Sequence, residues 1–113
     1  METLRVTPVQ TELEWENPQA NKDRLAEAMA PFAGKTDLLI LPEMFTTGFS
    51  MNPAPLAETM YGPSITWMKA QAQKLQAAIT GSLIIEEAGK YYNRLLFISP
   101  EGRLETYDKK HLF

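Results

Sequence analysis

Two short stretches hold the side chains best suited to chemistry. The first is Glu43, which follows the apolar run Asp37-Leu38-Leu39-Ile40-Leu41 and Pro42. In open α/β sheets ligands bind beyond the carboxyl ends of strands, and a carboxyl group desolvated there has a raised pKa that suits a general base. Position alone equally fits a solvated carboxylate that caps a turn. The second stretch is Tyr107-Asp108-Lys109-Lys110-His111-Leu112-Phe113, which closes a strand with two lysines and the only histidine. By themselves Lys109 and Lys110 also fit a solvated pair at a strand end. His111 with Asp108 or Glu105 falls short of a metal site, because no second His or Cys stands at ligand spacing, so no metal is expected. Met44, Phe45, Phe49 and Met51 suit either a pocket mouth or a lid packed on the core. The chain has no cysteine, which excludes disulfides, thiolate metal sites and a thiol nucleophile from its own residues.

The elements that must position these groups follow from spacing. Leu4, Val6 and Pro8 alternate with polar residues as in a short strand, and Pro8 belongs at its end or on an unpaired edge. Asn17-Pro18 reads as a helix start, with Leu25, Ala28, Met29 and Phe32 at helical spacing up to about Ala33, and Gly34 suits the C-terminal cap. The run 37–41 lacks alternation, as expected of a strand buried on both faces. Phe45 to Pro63 is rich in Pro and Gly and reads as a long irregular loop, the kind that often carries function. Ser64 can cap a second helix that presents Ile65, Met68 and Ala72 on one face and ends near Gln76. Residues 78–85, 91–99 and 104–109 read as three strands joined by turns at Glu87-Ala88-Gly89-Lys90 and Pro100-Glu101-Gly102-Arg103. The order is β-α-β-α-β-β-β, an α/β sheet that begins parallel and turns antiparallel at the hairpins.

Composition narrows the partners. The chain has 113 residues, 44% of them hydrophobic, enough for one small domain with a core. A net charge of -3 offers no basic footprint for nucleic acid. No apolar run approaches the roughly 20 residues that span a bilayer, and no secretory signal is recognisable. Neither nucleic acid nor a membrane is therefore expected as partner, and a cytoplasmic location is. The six glycines are scattered singly, without a phosphate-binding loop.

Taken together, Leu41-Pro42-Glu43-Met44-Phe45-Thr46-Thr47-Gly48-Phe49 and the Tyr-x-Lys-x-His-Leu-Phe pattern of residues 107–113 resemble the nitrilase superfamily of carbon-nitrogen hydrolases, its omega-amidase branch above all. The stretch Tyr92 to Gly102 is similar to that family's connecting hairpin, so the likeness spans nearly the whole chain. It implies the N-terminal portion of a four-layer αββα sandwich, with residues 1–113 as the N-terminal part of one hydrolase domain. The resemblance also implies a Glu-Lys-Cys catalytic set, in which Glu43 is the general base and Lys109 stabilises the oxyanion of the tetrahedral intermediate. Phe45, Thr46 and Phe49 would then contact the substrate, a small ω-amide of a 2-oxo dicarboxylic acid, and no cofactor is implied.

The pattern is incomplete in one respect, because the nucleophilic cysteine of that family lies further on and this chain has none. The chain by itself is therefore expected to be inactive. The alternative is a non-catalytic half-domain that assembles with a partner segment. Either way, an uncovered apolar sheet face and an unpaired edge favour association, and a homo-oligomer is expected. The motif register selects Lys109 as the lysine entering the cleft, since neighbours on a regular strand point to opposite faces.

Overall fold

A computed structural model describes residues 3–110, the last by its backbone only. The order is β1 (Val6–Pro8), α1 (Pro18–Met29), a 3-10 turn (Ala30–Phe32), β2 (Leu38–Ile40), α2 (Pro53–Leu56), α3 (Pro63–Leu75), β3 (Ala78–Glu87), β4 (Lys90–Ile98) and β5 (Leu104–Lys110). The five strands lie in one sheet in sequence order. β1, β2 and β3 run parallel, then β4 and β5 run antiparallel, which is the change of direction that the hairpins predict.

Directly opposed residues share a face of a sheet. Leu39, Ile79, Leu83, Ile85, Leu96 and Ile98 point to one face and join Leu25, Met29, Ile65, Met68, Ala72 and Leu75 of α1 and α3 in a single buried core. The helices therefore cover that face alone. Thr7 pairs with Leu39, so β1 turns Thr7 and then Val9 toward the helices, while Leu4 (69% exposed) and Val6 face the other way. Ile40 and Tyr107 are also exposed. The molecule is thus one helical layer on one sheet, the first half of the layer order that the sandwich requires.

Several local expectations need correction. The first helix ends at Met29 rather than near Ala33, because Pro31 lacks the N–H that would continue the ladder and the chain tightens into the 3-10 turn. Asn17 caps its start, accepting from the Ala20 amide at 3.2 Å. Ser64 does not cap the second helix, where Gly62 is the cap residue and Pro63 the first residue. Glu58 satisfies that helix end instead, accepting from the Ser64 amide at 2.8 Å and its hydroxyl at 2.5 Å. The long loop contains the short helix α2, which Pro53 opens.

Gly81 is needed where β3 passes beneath the loop. A Cβ there would stand 2.9 Å from Phe45 Cδ1 and 3.0 Å from Leu41 Cβ. Gly81→Ala is expected to destabilise the fold by about 1–3 kcal/mol through overpacking, seen as a lower urea midpoint at constant slope. An unchanged midpoint would mean that the turn after β2 shifts freely.

Candidate active site

The turn that carries Glu43 is built on the edge of β3. Where β2 ends, the Leu41 amide still donates to the Thr80 carbonyl at 2.8 Å. The Met44 amide then donates to Ser82 Oγ at 2.8 Å and the Phe45 amide to the Ser82 carbonyl at 3.3 Å. Met44 has a φ of 47°, and the Gly48 amide returns to the Met44 carbonyl at 2.8 Å, closing a tight turn. Further out, Asn21 of α1 is fully buried and its side-chain nitrogen donates to the carbonyls of Glu14 and Thr46, each at 2.8 Å. The turn is therefore held from the sheet and from the first helix.

Lys109 reaches Glu43 from the far edge of the sheet, and the two side chains form an ion pair. The pairing between β4 and β5 explains how. Asp108 opposes Arg94 and Lys110 opposes Asn93, so Lys109 is an extra residue, a β-bulge. Bulges interrupt strict alternation and re-aim a side chain. The alternation argument for choosing between the lysines thus fails at the very residue it concerns, although Lys109 is the one that meets Glu43. The side chains of the pair are 38% and 34% exposed, and such pairs contribute about 0–1 kcal/mol. Stability alone gives little reason to bring a carboxylate and an ammonium together across the sheet.

Beside the bulge, Arg94 is clamped on the helix-covered face. Its Nε and Nη2 donate to Asp108 at 2.5 and 3.1 Å, and it pairs with Glu87 at 3.0 Å. These bonds hold the Asp108 carboxyl below the usual carboxylate range and raise the already high Arg94 pKa. With Asp108 fixed there, the residue that follows is released toward Glu43. Sequence reasoning gave Arg94, Asn93 and Asn21 no role. An arginine directly preceding the apolar stretch Leu95-Leu96-Phe97-Ile98 is the available signal for the first.

The loop residues divide. Phe49 is 65% exposed, whereas Phe45 and Thr46 are buried and face the interior of the described chain. Phe45 packs in the core against Trp67, ring centres 5.8 Å apart. His111, with the end of its motif, lies outside the described residues. Among the described residues no three His, Cys, Asp or Glu side chains gather as metal ligands, and no helix is long and apolar enough to cross a membrane.

The parallel-to-antiparallel α/β sheet finds its class in comparison with known proteins. The carbon-nitrogen hydrolase family model matches residues 5–113, and the chain belongs to that family. Omega-amidase YafV of Yersinia enterocolitica is 39% identical over 118 residues, covering 100% of this chain and 43% of that protein. The 2-oxoglutaramate amidase of Bacillus subtilis is 27% identical over 111 residues, covering 96% and 43%. The crystal structure of XC1258 from Xanthomonas campestris, a CN-hydrolase superfamily protein with an arsenic adduct in its active site, superposes with a TM-score of 0.94 at 45% identity, again covering 100% and 43%. The chain thus spans less than half the length of these relatives.

Proposed function

We propose that this chain supplies two members of the catalytic set of an omega-amidase, which releases ammonia from a small ω-amide of a 2-oxo dicarboxylic acid. The observation that carries the proposal is the Glu43–Lys109 pair, drawn together from β2 and the β5 bulge at one end of the sheet. The substrate class is proposed by analogy with the omega-amidase and 2-oxoglutaramate amidase relatives. In the reaction, Glu43 takes the proton of a cysteine thiol, and the sulfur attacks the amide carbonyl. Lys109 carries its positive charge toward the oxygen that becomes an oxyanion. Collapse breaks the C–N bond, and Glu43 returns the proton to the departing nitrogen as ammonia leaves. Water, deprotonated by Glu43, then hydrolyses the thioester to the acid and restores the thiol.

The thiol is not among these 113 residues, so the chain alone is expected to release no ammonia. Phe49 would stand at the substrate's entrance, while Phe45 and Thr46 would act from behind by holding the turn of Glu43. The same proposal includes a cytoplasmic location and association through the exposed apolar sheet face. The test is a chimera in which this chain replaces the matching segment of the Yersinia omega-amidase. Glu43→Gln keeps the shape and removes the base, and kcat for ammonia release is expected to fall about 10²- to 10⁴-fold. A Glu43→Gln chimera as active as its parent would overturn the assignment.

A further inference from the structure

Asn93 is 5% exposed, and its buried Oδ1 has no hydrogen-bond partner among the described residues. A buried acceptor left unpaired costs a fold stability, so its retention calls for another role. Its register gives one. Asn93 opposes Ile84 on β3 and Lys110 on β5, immediately beside the bulge that releases Lys109. Ser82 and Ile84 share its face, and Ser82 anchors the Glu43 turn through the Met44 amide. The opposite face at this level is filled by Leu83 and the Arg94 cluster. Glu43 and Lys109 come from strands separated by β3 and β4, so the face open to their meeting is the one that carries Asn93.

We infer that Asn93 is a positioning residue for Lys109, its Oδ1 accepting a hydrogen bond from the ammonium once an incoming substrate separates Lys109 from Glu43. This rests on the proposed amidase function. The ion pair satisfies both charges only while the site is empty. During turnover Glu43 gains a proton and Lys109 must point at the carbonyl oxygen, and a buried acceptor beside it keeps the ammonium in place. An aspartate there would also hold the ammonium, whereas leucine fills the space and offers nothing.

The experiment uses the chimera described above. Asn93→Leu is expected to lower kcat about 10- to 100-fold, the range for a lost hydrogen bond to a charged group, with KM within about twofold. Because it removes an unpaired buried polar atom, the same substitution is expected to raise Tm by roughly 4 °C. Asn93→Asp restores an acceptor and is expected to recover kcat to within about threefold of the parent. Parallel loss of Tm and kcat in Asn93→Leu, with no recovery in Asn93→Asp, would make Asn93 a structural residue and overturn the inference. So would a fully active Asn93→Leu. If Glu43→Gln is inactive while Asn93→Leu is unaffected, only this inference fails; if Glu43→Gln is itself fully active, the amidase proposal fails with it.

Discussion

Lys109→Ala in the omega-amidase chimera is expected to reduce kcat for ammonia release about 10²- to 10³-fold, the cost of losing one preorganised donor to an oxyanion. KM should move little, since the charge is needed chiefly when the carbonyl oxygen becomes negative. Lys110→Ala is the control, expected to change kcat less than about twofold because the motif register gives the catalytic charge to Lys109. The comparison is informative because the two residues are adjacent and chemically identical. Lys109 occupies the bulge and pairs with Glu43, so the difference between the variants reads the local geometry of β5. A dead Lys110→Ala beside an active Lys109→Ala would place the catalytic charge one residue later and remove the functional meaning of the ion pair.

Much of this arrangement is legible in the residues. The unalternating run 37–41, the helical spacing of about 18–33 and 64–76, and the turn residues around 88 and 101 give the elements and their order, though not each helix end, because each is a local property of the chain. Glu43 and Lys109 emerge from motifs at known places relative to those strands. What is not legible depends on contacts between distant segments. The capping of α3 by Glu58 needs the loop to fold back on β3, where the Glu58 amide bonds to the Ile84 carbonyl at 3.1 Å. The bulge at Lys109 needs the register of β4 against β5, which no period within β5 reveals. Asn93 and Asn21 read as ordinary polar residues until burial is known. Phe45 likewise looks like a pocket residue because its neighbours are loop residues, and only the packing of Trp67 and Gly81 beneath the turn shows where its ring goes.

Phe45→Ala is accordingly expected to act on stability. Phe45 is fully buried, its ring contacts that of Trp67, and its position crowds Gly81 so closely that no side chain fits there. Deleting a buried phenyl ring costs about 3–5 kcal/mol, against a total of about 5–15 kcal/mol for a domain. Urea unfolding of the chain is expected to show a midpoint lowered accordingly or no folded baseline at all. Phe49→Ala, four residues on and largely exposed, should stay within about 0.5 kcal/mol of the parent. The contrast tests how Glu43 is held. The Glu43 turn has hydrogen bonds to Ser82 on one side and the Phe45 ring in the core on the other, so a cavity at Phe45 loosens the carboxylate even where the fold survives. In the chimera, a surviving Phe45→Ala protein should lose kcat at nearly constant KM, as expected when a catalytic group is misplaced and no substrate contact is lost. A Phe45→Ala variant with unchanged urea midpoint and raised KM would show the ring touching substrate, and the turn would then owe its position to the Ser82 and Asn21 hydrogen bonds alone.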